Sequence, residues 1–132
     1  MDQEYNFKKF TKVGSKSGNY SISINSKSFS FGFNSGFYSK ENINKYKKVV
    51  LFFDEQKKAI AFNFTNDEKA EGAFTVVHGN NQSTGSVSTK SFFVNNKLNT
   101  AGHSGKRKPK KINSNNFGLL FVIELDEMNK II

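Results

Sequence analysis

The densest chemistry in the chain lies between Gly105 and Lys111, where Gly-Lys-Arg-Lys-Pro-Lys-Lys packs five cations, Lys106, Arg107, Lys108, Lys110 and Lys111, into six residues. Cations at that spacing neutralise successive phosphates and release their counterions, the sequence-independent part of nucleic-acid affinity. The same charges repel one another when no anion is near, so a run of this density reads as a partner site. Lys8, Lys9 and Lys12 near the start, and Lys45, Lys47 and Lys48 around Tyr46, supply a secondary basic patch. Tyr46 adds an amphipathic ring of the kind that lies at a wet surface and stacks on an unpaired base. Arg107 is the only arginine. Bidentate reading of guanine in the major groove therefore has little to work with, and phosphate-backbone binding of low sequence specificity fits better.

Other chemistries find few residues. His78 and His103 are the only histidines, and neither has a second histidine at metal-ligand spacing. No metal, cofactor or catalytic residue is expected, and the chain reads as a binder and not as an enzyme. A hydrolase would need the fold to bring a histidine to clustered carboxylates. Asp54-Glu55 and Asp67-Glu68 sit in polar turns, where they serve solubility. Gly14-Ser15-Lys16-Ser17-Gly18 lacks the spacing and the preceding apolar strand of a phosphate loop. With no Cys, disulfides, zinc thiolates and thiol catalysis are excluded.

The elements that must position these residues are mostly strands. The 132 residues suit one domain, and 15 Phe with 4 Tyr mean that its core is built from rings. A net charge of +9 favours polyanions, with nucleic acid, anionic membrane and acidic protein all qualifying. An AT-rich coding sequence raises Lys, Asn and Phe together, so the placement of charge says more than its total. The opening Met1-Asp2-Gln3-Glu4-Tyr5 is unlike a secretory signal, and no run approaches the roughly 18 apolar residues of a membrane span. A cytoplasmic protein with no membrane partner is expected.

Strict alternation over Tyr20–Ile24 and Phe29–Phe33 predicts two half-buried strands joined around Asn25-Ser26-Lys27. Val49–Phe53 and Ala59–Phe64 flank the polar turn Asp54–Lys58 and predict a second hairpin. Further strands are predicted at Ala73–Val77, Gly85–Ser88 and Leu119–Leu125. Two short helices are predicted, one capped by Asn34 or Ser35 and running to Ile43, the other capped by Thr89 and carrying Phe92, Phe93 and Leu98. The stretch 99–116 has no apolar periodicity and reads as an exposed basic loop, stiffened by Pro109 and mobile at Gly102 and Gly105. The resulting class is β-dominated α+β: about seven strands in an antiparallel sheet or barrel with two short helices. A basic arm or edge strand over 1–17 precedes a single β-rich domain over 18–132.

The pattern also repeats. Gly18–Ile22 matches Gly72–Val76, Phe37-Tyr38 matches Phe92-Phe93, Ile43 matches Leu98, and Val49–Glu55 matches Leu120–Asp126. An internal duplication of a β-β-α-β unit is therefore expected, with Ala59–Phe64 joining the copies.

The succession Val49–Phe53, Ala59–Phe64, Ala73–Val77 and Gly85–Ser88, running through Thr89-Lys90 into Ser91-Phe92-Phe93-Val94, resembles the four-strand meander plus helix of Whirly and PUR-type single-stranded DNA-binding proteins. That resemblance implies bases presented to an exposed sheet face. The duplicated unit is also similar to AbrB-like double-psi barrels, whose DNA-binding members use basic loops, although a Gly-Arg-Ile-Val-Pro type segment is absent here. The partner expected from residues and resemblance together is DNA or RNA, with single-stranded DNA in first place. The alternative is an interaction module that forms a homo-oligomer through strand edges.

Overall fold

The computed structural model describes residues 19–79, 81–98 and 102–126. Lys8, Lys9 and Lys12, the Gly14–Gly18 segment and the arm expected over 1–17 lie outside the described residues. Along the chain the elements are β1 (Ile22–Asn25), β2 (Ser30–Phe33), α1 (Ser35–Lys40), β3 (Lys48–Asp54), β4 (Ala59–Thr65), β5 (Phe74–Thr75), β6 (Val77–Gly79), β7 (Thr84–Ser88), α2 (Lys90–Asn95), β8 (Gly105–Arg107), β9 (Lys110–Ser114) and β10 (Gly118–Glu124). A 3-10 turn at Ile43–Lys45 follows α1.

The strands form two antiparallel sheets of five, ordered β6-β7-β2-β1-β8 and β5-β3-β4-β10-β9. The β-dominated α+β class with two short helices is therefore the observed one, with open sheets and no barrel closure. The described residues hold ten strands where about seven were expected, and the three extra have physical reasons. Ala73–Val77 is not one strand: Phe74 and Thr75 pair with β3 in the second sheet, and Val77 pairs with β7 in the first. Buried Val76 marks the crossing, its N–H donating to the Lys47 carbonyl. The basic stretch is likewise no loop. β8 pairs with β1, and β9 pairs with β10. Pro109 falls between them, where no ladder donor is needed. Edge strands form through backbone bonds and tolerate lysines, so hydropathy gave no signal.

The repeat is larger than a β-β-α-β unit. Each half runs hairpin, helix, hairpin: β1-β2, α1, β3-β4 and then β6-β7, α2, β9-β10, with the first hairpin in one sheet and the second in the other. Strand β10 thus takes the place of β4 and not of β3, while β5 and β8 are additions at sheet edges. The helix matches stand. Phe37-Tyr38 and Phe92-Phe93 are the third and fourth residues of their helices, and Ile43 and Leu98 are both buried just beyond.

Between the sheets lies a ring-filled core. Phe31, Phe33, Phe37, Phe62 and Phe93 are fully buried. Phe31 meets Phe62 edge-to-face at 5.0 Å, and Phe37 meets Phe121 in the same way at 5.0 Å. Such contacts add roughly 0.5–1.5 kcal/mol each to the burial of the rings. The predicted caps behave differently from expectation. Asn34 occupies the N-cap of α1, but its amide donates to the hydroxyls of Ser21 and Ser23. Thr89 occupies the N-cap of α2 without capping it, its hydroxyl buried and unpartnered. No helix among the described residues is long and apolar enough to cross a membrane.

Candidate nucleic-acid interface

The five clustered cations do not share a surface. Arg107 pairs with Ile22 on the core side of β1 and is only 1% exposed. Its Nε donates to the carbonyls of Glu124 and Leu125 at 3.2 and 3.1 Å, and its Nη2 to those of His103 and Leu125 at 3.0 and 2.8 Å. The guanidinium thus holds the end of β10 in the second sheet to β8 in the first, and it offers nothing to a phosphate. Lys111 pairs with Phe121 on the core-side face of the edge strand, where its half-exposed side chain lies 3.0 Å from Glu41, whose side chain is nearly buried. Lys110 lies 3.0 Å from Glu124 at the surface. Lys106 and Lys108 are exposed and have no carboxylate partner among the described residues.

The secondary patch is also diluted. Lys47 faces Glu68 at 3.8 Å, Lys48 donates to the Thr75 hydroxyl at 3.0 Å, and Lys45 is exposed at the end of the 3-10 turn. Tyr46 leans on Phe64 at 5.9 Å and is half-buried, so its ring is not a platform for a base. Its carbonyl accepts from Nε2 of His78 at 2.8 Å, and Nδ1 of the same ring lies 2.7 Å from the Tyr38 hydroxyl, within hydrogen-bond distance. His78 is thereby a structural link between α1, β6 and the start of β3. His103 precedes β8, at the opposite edge of the same sheet, about 19 Å away at four strand spacings. Burial, reinforced by the nearby Arg107 charge and by Lys58 and opposed by Asp126, holds the His103 imidazole below its ordinary pKa. No group of three or more His, Asp or Glu converges as a metal site among the described residues.

A different surface gathers what the basic stretch leaves exposed. In the first sheet the core takes Ile22, Ile24, Phe31, Phe33 and Val87, so the alternate residues face outward. Val77, Ser86, Gly32, Ser23 and Lys106 stand side by side across all five strands. Ser88, Ser30 and Asn25 form a parallel row beside them. Hydroxyls and missing side chains make this face flat and hydrogen-bonding. Lys27 lies in the turn closing β1-β2, and Lys108 follows β8. No Asp or Glu occurs between Asn19 and Lys40 or between Gly72 and Ile123, stretches that contain every strand of this sheet. That gap in the acids is legible in the sequence, as is the run of serines between the apolar residues, although neither forms a motif.

The outer face of the second sheet has the opposite character. Val50, Phe52, Leu120 and Val122 alternate with core residues and face outward. The rings of Phe52 and Phe117 lie 4.7 Å apart there, and Phe117 is 52% exposed. Compared with protein-family models, curated proteins and solved structures, the chain matches none.

Proposed function

We propose that the chain binds DNA or RNA through the phosphate backbone, laid across the outer face of the first sheet, with a single strand as the leading ligand. The observation that carries this reading is the row Val77, Ser86, Gly32, Ser23 and Lys106, on strands that contain no carboxylate. Small side chains let a polymer backbone approach closely, hydroxyls donate to phosphate oxygens, and Lys27, Lys106 and Lys108 supply the counterion-releasing charge. Among the described residues the face has no protruding helix or ribbon to enter a major groove and no ring to stack on a base, which favours weak sequence preference. On this reading the protein is a cytoplasmic binder and not an enzyme. The carriers differ from the five clustered cations: Lys106 and Lys108 stay, whereas Arg107 and Lys111 serve the fold.

Fluorescence anisotropy with matched single-stranded and duplex oligonucleotides, titrated between low and moderate salt, tests this. Replacing Lys106 and Lys108 together with Glu should weaken binding to all sequences and flatten the salt slope by about 0.7 per lost contact on single strands. Ser86→Glu, in the middle of the face, should weaken it as well. No binding to any oligonucleotide at low salt would sink the reading.

A further inference from the structure

We propose that the outer face of the second sheet receives a second copy of this chain, docked face to face about a two-fold axis. This stands on a different surface from the nucleic-acid reading and does not depend on it. Strands β3 and β10 are apolar at consecutive positions, Val49-Val50-Leu51-Phe52-Phe53 and Leu119-Leu120-Phe121-Val122-Ile123. Strands of that composition are normally covered on both faces. The core covers one side. On the other, Phe52, Ala61 and Val122 lie in one row that ends on Lys110, beside Leu120 and Ile112 in the next. Ile112 is 44% exposed.

Shape argues for a second copy. Asn63 faces outward from β4, and its amide donates to the carbonyls of Phe117 and Leu119 at 3.1 and 2.9 Å. It thereby pins the β9-β10 turn and stands the Phe117 ring against Phe52 above the sheet. Alongside, Ala59 and Ala61 floor a groove of about 400 Å³ walled by Phe52, Ile112 and Val122. A knob and a hole on one face are what an isologous interface uses, since the two-fold axis places each knob in the other copy's hole.

Charge agrees. The chain carries +9, yet the strands of this sheet and the turn joining β3 to β4 hold Lys48, Lys57, Lys58, Lys110 and Lys111 against Asp54, Glu55 and Glu124, five cations against three acids. Two such faces meet with less repulsion than the remaining surface would impose, and a polyanion gains less there. Four strands and about five residues of length give on the order of 300 Å² of projected apolar face. A standard interface buries about 800 Å² a side, so this apolar area suits its centre, with a polar rim around it.

Sedimentation equilibrium on the full chain from about 1 to about 200 μM tests this. The wild type should approach twice the chain mass as concentration rises. Phe117→Ala, which removes the knob, and Ala61→Leu, which fills the hole, should each weaken dimerisation at least about tenfold. Ser86→Glu on the opposite sheet should leave it unchanged. Phe117 is half exposed, so its replacement by Ala keeps the fold and decides the matter even where Ala61→Leu is unstable. A single-chain mass throughout overturns the proposal, and so does a dimer of unchanged affinity in Phe117→Ala. A monomer whose oligonucleotide binding falls in Phe117→Ala also overturns it, because the face would then serve bases.

Discussion

The Lys111 ammonium lies 3.0 Å from one oxygen of the Glu41 carboxylate, and the Tyr20 hydroxyl donates to the other oxygen at 2.7 Å. One charge of the cationic run therefore closes a bridge between β9, the end of α1 and Tyr20, two residues before β1. Removing the carboxylate in Glu41→Ala should lower stability by about 1–3 kcal/mol, read by urea unfolding. The same variant should bring the Tyr20 phenol to a lower pKa, though still above the ordinary range, since burial raises it first and the Glu41 carboxylate adds to that through its hydrogen bond and its charge. Ultraviolet titration reads this directly. An unmoved titration would show that the carboxylate does not act on the phenol.

Stability should fall as pH rises above about 10. Tyr20 and Tyr38 both hold their protons more tightly in the fold, Tyr38 through burial alone. Above the ordinary phenol pKa the unfolded chain releases protons that the native chain keeps, which favours unfolding. Tyr20→Phe should flatten this alkaline loss. Identical urea midpoints from pH 9 to 11 would contradict it.

Arg107→Lys keeps the charge but not the planar fork that reaches three carbonyls. A loss of about 2–4 kcal/mol is expected, because buried carbonyls lose donors and an ammonium takes a site shaped for a guanidinium. At temperatures where the variant stays folded, its oligonucleotide affinity should equal that of the wild type. A selective loss of affinity would return Arg107 to the binding surface.

At Gly36 an added Cβ would sit 2.6 Å from the backbone carbon of Asn19 and 2.9 Å from the amide nitrogen of Tyr20. Both neighbours are backbone, so α1 or the chain entering β1 must move. Gly36→Ala should cost about 2 kcal/mol or more, and an unchanged thermal midpoint would show that this approach is looser than the distances state.

Thr89→Val should be neutral or stabilising by up to about 1 kcal/mol. The hydroxyl is fully buried and has no partner among the described residues, so a methyl of the same shape removes a desolvated group and no hydrogen bond. A loss above that size would mean that the hydroxyl caps α2 after all.

What could be read from sequence followed the hydrophobic pattern. The alternation in Phe29–Phe33 places Phe31 and Phe33 in the core, and Asp54–Lys58 turns as expected, with the Asp54 carboxylate accepting from the amides of Gln56 and Lys57. Where pairing depends on backbone bonds, the pattern is silent. Gly105–Arg107 and Lys110–Ser114 read as a loop because their side chains are charged, yet β1 and β10 each offered an open edge to them. For a related reason, charge density along the chain does not report which side of a strand each charge takes. Lys106 and Arg107 are neighbours in sequence and therefore opposites in space, one on the outer face and one in the core.

The division of both sheets between the two hairpin-helix-hairpin halves bears on how the chain folds in time. The central pairings, β2 with β7 and β4 with β10, each join one half to the other, and β8 must return to β1. Neither half can complete a sheet during synthesis, and Phe62 waits for Phe121. Such distant closures must be made before they are rewarded by packing, so folding should be cooperative and slow, on the order of milliseconds to seconds, with the last strands arriving setting the pace.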